Sequence, residues 1–101
     1  MKEITVEQLL ERINSGEQIN LLDVREYWEY DEDNIGAKCI PLGDLPKHLE
    51  ELAPLKNEEI IIHCKSGARG GQAQKYLTAQ GFENVVNVCG GILAYRELET
   101  A

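Results

Sequence analysis

Two spacings of hydrophobic positions alternate along this chain. Short runs of branched apolar residues suit buried strands, and the stretches between them repeat every three or four residues, as helices do. Ile4 begins a short first strand. Thr5-Val6-Glu7-Gln8 fits a capping box, opening a helix with an apolar stripe at Leu9, Leu10 and Ile13 that Gly16 ends. Residues 19–24 predict the second strand. Residues 26–33, acidic and aromatic, read as one helical turn and then a loop, with Trp28 as a core anchor. Lys38-Cys39-Ile40-Pro41 is a short third strand, set at a sheet edge by its proline. Residues 46–52 predict a helix with Leu45, Leu49 and Leu52 apolar, ended before Pro54. Residues 59–63 form the fourth strand, and the unbroken run Ile60-Ile61-Ile62 implies cover on both faces. Helical spacing resumes at Gln72, through Ala73, Tyr76, Leu77 and Gln80, and stops at Gly81. Residues 85–88 are a fifth strand, and 92–98 a final helix. Strands alternating with helices imply an α/β domain with a parallel sheet and helices on both faces. With no linker, repeat or low-complexity stretch, residues 1–101 are expected to be a single domain.

Composition narrows the function classes. A net charge of −8 argues against nucleic-acid or membrane-surface binding, both of which favour a basic face. No apolar run approaches the ~20 residues of a transmembrane helix, and the first residues lack a signal-peptide core. The three cysteines are odd in number, widely spaced and without a C-x-x-C pair, which points away from a zinc site and toward a reducing, cytoplasmic setting. The acidic run from Glu29 to Asp33 lacks a calcium-loop pattern and reads as a solvated face. No metal is expected.

The chemistry concentrates in Cys64-Lys65-Ser66-Gly67-Ala68-Arg69-Gly70-Gly71, between the fourth strand and a helix. Loop amides and a helix N-terminus converge there, which attracts an anion and favours a thiolate. Lys65 and Arg69 are cations where the helix dipole disfavours positive charge, so an anion or thiolate is expected to offset that penalty. Gly70 and Gly71 sit where a helix should begin, at a cost of up to ~1 kcal/mol each relative to alanine. The competing reading is a buried core cysteine beside solvated cations and turn-forming glycines; it leaves the combination to coincidence. In a parallel sheet, ligands bind at the carboxyl ends of strands. Cys64, Arg25 and Cys89 each lie just past such an end.

The chain resembles the rhodanese family of sulfurtransferases. The resemblance rests on Leu21-Leu22-Asp23-Val24-Arg25-Glu26, on Ile35-Gly36-Ala37 with Ile40-Pro41-Leu42, on the loop from Cys64 to Arg69, and on Gly90-Gly91-Ile92-Leu93-Ala94-Tyr95. These stand in the family's order across nearly the whole chain. The resemblance implies a three-layer α/β/α domain with a five-stranded parallel sheet in the order 1-5-4-2-3. It also implies that Cys64 carries sulfur as a persulfide, taken from thiosulfate or a persulfide donor and passed to cyanide or a thiol, with no cofactor. Lys65, Ser66, Gly67, Ala68 and Arg69 would line the substrate site, with Arg69 either bridging to a donor's oxyanion or bracing the loop, while Asp23 and Arg25 would brace it, chiefly as a structural salt bridge. Partners would be a small sulfur-containing anion, an acceptor thiol or cyanide, and a possible protein acceptor; a monomer is expected.

Two other readings stand beside this one. A non-catalytic rhodanese-like module could bind or deliver a partner, although the intact Cys64 favours an enzyme. Phosphatase or arsenate-reductase chemistry is opposed by loop length, since four residues separate Cys64 from Arg69 where those enzymes use five. The chain also departs from the family. Gly70 replaces the usual serine or threonine, Lys65 stands where arginine is frequent, and Asn34-Ile35-Gly36-Ala37 is one residue shorter than usual. Tyr95 takes a place often held by tryptophan, as core packing. His63, adjacent to Cys64 in a strand, points to the opposite face and reads as a satisfied core histidine, and His48 reads as solvent-facing. Cys89 is a possible second thiol: within disulfide reach it would attack a Cys64 persulfide, release sulfide and leave an internal disulfide.

Overall fold

The computed structural model describes residues 2–100. Strands β1 (Glu3–Ile4), β2 (Asn20–Asp23), β3 (Lys38–Cys39), β4 (Glu59–His63) and β5 (Asn84–Val88) make one all-parallel sheet in the order β1-β5-β4-β2-β3. This is the order the resemblance implied. Helices α1 (Val6–Asn14) and α5 (Gly91–Thr100) cover one face. Helices α3 (Leu49–Leu52) and α4 (Ala68–Ala79) cover the other, with 3-10 turns at Leu42–His48 and Ala53–Leu55. The remaining helix, α2 (Tyr27–Glu32), lies beyond the end of β2. Among the described residues, no helix is long and apolar enough to cross a membrane.

The isoleucine run of β4 explains the layering. Ile61 packs with Val6, Leu9, Val86, Val88 and Tyr95 beneath α1 and α5, whereas Ile60 and Ile62 pack with Leu45, Leu77 and Phe82 beneath α4. Burying one such side chain stabilises the fold by roughly 1.5–3 kcal/mol. Thr5 caps α1 in a full capping box with Gln8. In-register pairing sets Asp23 beside both His63 and Cys39, and Ile62 beside Asn87, so the carboxyl ends of β2, β4 and β5 are level.

Several expectations need correction. Residues 26–33 hold a six-residue helix rather than a single turn. Trp28 is not a core anchor: it is 64% exposed, because α2 stands outside both cores. The helix expected over 46–52 is a 3-10 turn through His48, then the short α3, and helical turns continue past Pro54 to Leu55. Pro46 lies inside that turn and has no N–H to donate, which disfavours regular α-helical bonding there. Its apolar residues still point inward, with Leu45 and Leu52 buried. Most consequentially, α4 begins at Ala68 and not at Gln72, so Gly70 and Gly71 lie within its first turn.

Candidate active site

Cys64 follows the last residue of β4, and its sulfur does the work of a helix cap. Gly67, the N-terminal flanking residue of α4, has no side chain to satisfy the free amides of the first turn. The Cys64 Sγ accepts instead, from the Gly67 N–H at 3.0 Å and the Gly70 N–H at 3.2 Å. Gly67 has φ +114°, a left-handed conformation that turns its N–H inward. Two amides and the positive end of a twelve-residue helix therefore favour negative charge on a buried sulfur. This is also why the helix starts early: the cysteine supplies the cap that the loop sequence lacks.

A second helix N-terminus holds the same strand end. The Ile92 N–H donates to the Cys64 carbonyl at 2.8 Å, and the Leu93 N–H to the Lys65 carbonyl at 3.1 Å. Gly91 makes this approach possible. A Cβ built there would stand 2.4 Å from the Cys64 carbonyl oxygen, and its φ of +57° is left-handed.

Of the two roles open to Arg69, bridging to a donor's oxyanion or bracing the loop, its contacts are those of a brace: the fork is engaged by the Glu29 carboxylate, Nη1 to Oε1 at 2.6 Å and Nη2 to Oε2 at 2.9 Å. The Arg69 hydrogen bonds hold the Glu29 carboxyl down at about 2. Lys65, Ser66 and Ala68 form the exposed tip of the loop. Lys65 borders a groove of about 210 Å³ lined also by Arg25, Trp28, Glu29, Ile92 and Leu93.

Asp23 and Arg25 form the salt bridge that the sequence suggested. Arg25 Nη2 donates to Asp23 Oδ2 at 2.8 Å, Nε lies 3.1 Å from both carboxylate oxygens, and the Arg25 N–H reaches Oδ1 at 3.0 Å. The guanidinium also donates to the Asp33 carbonyl at 2.7 Å, tying down the end of α2. Bracing thus runs from Asp23 through Arg25 to α2, and from Glu29 on α2 to Arg69 on the loop. Strand alternation places Asp23 and His63 on the face opposite the Cys64 side chain. His63 is buried but not satisfied: among the described residues neither ring nitrogen has a hydrogen-bond partner, and Nε2 lies 3.5 Å from Asp23 Oδ2. Burial pushes its pKa down, against the pull of Asp23.

The acidic run is not simply a solvated face. Besides Glu29, Asp33 pairs with Arg96, whose Nη2 lies 2.6 Å from Oδ1. His48 is half-buried, with Nδ1 3.4 Å from Glu51 Oε1, and Tyr95 packs in the core as expected. All three cysteines are free. Cys89 is exposed, with its thiol 3.1 Å from Glu3 Oε2, and that carboxylate pushes its pKa up. Cys39 is half-buried, and burial pushes it to about 11. Two contributors escaped the sequence reading, Glu29 and Asn87. Asn87 carried a signal, a polar residue amid the valines of β5; its Nδ2 donates to the Gly67 carbonyl at 3.0 Å. Glu29 carried none, because its partner is forty positions away.

Comparison with known proteins places this geometry among relatives. A family model, the Rhodanese-like domain, matches residues 5–98. YtwF of Bacillus subtilis (strain 168), provisionally named a sulfurtransferase, is 42% identical over 96 residues, which cover 94% of this chain and 90% of that protein. YrkF of the same organism, provisionally named a sulfur carrier protein, is 42% identical over 91 residues, covering 89% of this chain but only 48% of that protein. The crystal structure of a rhodanese-like domain protein from Staphylococcus aureus superposes with a TM-score of 0.86 at 34% identity, covering 94% of this chain and 91% of that one.

Proposed function

Because the chain belongs to the rhodanese-like domain family, whose members here carry the names of sulfurtransferases and sulfur carriers, we propose that Cys64 accepts a sulfur atom from thiosulfate or a persulfide donor and passes it to a thiophilic acceptor. The observation that carries this reading is the pair of N–H groups, from Gly67 and Gly70, aimed at the Cys64 sulfur. In the first step the thiolate attacks the outer sulfur of thiosulfate. A new sulfur–sulfur bond forms as the bond to the sulfonate breaks, and its electron pair leaves with sulfite. In the second, cyanide or a thiolate attacks the outer sulfur of the persulfide, and the pair of the broken bond returns to Cys64. The cycle regenerates the thiolate without an external oxidant or reductant.

In this reading the two amides stabilise charge on the cysteine sulfur as it forms and is released. Lys65, Ser66 and Ala68 are the loop groups a donor meets first, and Arg69 shapes the loop through Glu29 while its charge remains nearby. The four-residue spacing to Arg69 favours sulfur transfer over phosphatase or arsenate-reductase chemistry. We place the whole chain, 1–101, as one sulfur-handling unit in the cytoplasm; three free cysteines suit a reducing compartment. The carrier reading, favoured by the name of YrkF, differs only in the second step: a carrier retains the sulfur until a protein partner collects it. Thiocyanate formation from thiosulfate and cyanide separates the possibilities. Wild-type protein turns over and Cys64→Ser does not. Retained activity in the serine variant refutes the assignment, and a persulfide that forms but resists cyanide identifies a carrier.

A further inference from the structure

We propose that Asn87 is a positioning residue for sulfur transfer, and that it forms one functional unit with Gly70. The inference rests on the proposed role of Cys64 and deepens it. Asn87 is the fourth residue of β5, paired in register with Ile62 of β4, and its side chain is buried under the first turn of α4. Its two amide atoms do different things. Nδ2 donates to the Gly67 carbonyl at 3.0 Å, the same carbonyl that accepts the first helical bond, from the Gly71 N–H at 3.0 Å. Gly67 is thereby held from its carbonyl side in the left-handed conformation that points its N–H at the Cys64 sulfur. A left-handed glycine has other accessible conformations; two bonds to its carbonyl restrict them.

The other atom, Oδ1, is buried without a hydrogen-bond partner among the described residues. It fills the space beside Gly70: a Cβ built on Gly70 would stand 2.1 Å from Oδ1 and 3.1 Å from Cγ. A side chain at position 70 would have to displace the Asn87 amide, so Gly70 and the present placement of Asn87 fit together. The Gly70 N–H is itself the second donor to Cys64, so both amides on the sulfur adjoin this one side chain. A buried acceptor left unpaired is costly, and its retention fits a constraint on loop geometry better than one on core stability alone.

The test combines sulfur uptake with a reciprocal rescue. Asn87→Ala, Gly70→Ser and the double variant are compared in single-turnover persulfide formation from thiosulfate, with iodoacetamide alkylation of Cys64 at neutral pH as a readout that needs no sulfur transfer. Asn87→Ala is expected to slow uptake at saturating thiosulfate and Cys64 alkylation at least tenfold, with the half-saturating concentration changed less than twofold. Gly70→Ser alone should be as impaired, because serine expels the amide. The double variant should recover much of the loss, since removing Asn87 frees the space. If Asn87→Ala fails to fold, Asn87→Asp keeps the shape while replacing the donor, and the same loss is expected. Wild-type rates in either folded Asn87 variant, or in Gly70→Ser, would overturn the proposal. If the wild type forms no persulfide at all, the sulfur-transfer reading fails, and the alkylation rates still judge Asn87.

Discussion

Glu29 shows how one side chain can change the meaning of a motif. Arginine at the first turn of a helix faces an unfavourable dipole, and an exposed Arg69 would be expected to seek substrate. With both Glu29 oxygens on its fork, Arg69 instead ties the loop to α2. The pairing has a definite pH signature. The Glu29 carboxyl is held at about 2 against an ordinary 4.5, so the stability it contributes is fully present above 4.5 and is lost as pH falls toward 2. After screening by solvent, that contribution is about 1–2 kcal/mol. Glu29→Gln should be less stable than wild type by that amount at neutral pH and should show a shallower decline across this window. Urea melts at stepped pH measure it, and parallel declines in the two proteins would rule the pair out as a stabiliser. His63 acts in a different window: burial lowers its pKa, so its destabilising effect grows as pH drops below the ordinary 6.5.

At the scale of elements, two helix N-termini meet at one strand end, α4 at the Cys64 sulfur and α5 at the carbonyls of Cys64 and Lys65. Gly91 is the contact point of the second. Gly91→Ala would force a Cβ to within 2.6 Å of Lys65 backbone atoms, in a left-handed conformation, and should cost roughly 2 kcal/mol or more. Thermal denaturation reads this directly, and an unchanged melting temperature would contradict the contact. Strands and their order were legible in the sequence, the first from apolar runs and the second from the family resemblance. The loop cysteine was legible because strand, glycines and cations coincide locally. The start of α4 was not, since its cap is a sulfur four residues before Ala68 rather than a conventional polar side chain. Nor was the exposure of Trp28, because an aromatic residue in a short helix signals burial only if that helix packs on the sheet. Pro46 stands at the start of the helix that the sequence predicts, but its missing N–H leaves a 3-10 turn around it.

The whole molecule works by aligning the carboxyl ends of its parallel strands, so that groups distant in sequence support one loop. Asp23 and Arg25 are the buried anchor of that end, 0% and 4% exposed. Removing one partner leaves an uncompensated buried charge, so Asp23→Ala should lose about 3–5 kcal/mol. Replacing both by apolar residues of similar volume should lose less stability, yet should slow sulfur uptake because α2 and Glu29 lose their brace. Chemical denaturation and uptake kinetics on the single and double variants separate the two effects, and equal stability loss in both would refute the ion-pair account. On the proposed function, the chain's net charge of −8 would repel an anionic donor as a whole, which would leave the local field at the loop to draw it in. The central claim is that this local field makes Cys64 the sulfur acceptor, and intact-mass spectrometry after incubation with thiosulfate tests it most directly. The account predicts a gain of one sulfur atom in the wild type, located on Cys64 by peptide mapping, reversed by a thiol reductant and absent from Cys64→Ser. A wild-type protein of unchanged mass, or a sulfur carried on Cys39 or Cys89 instead, would contradict it.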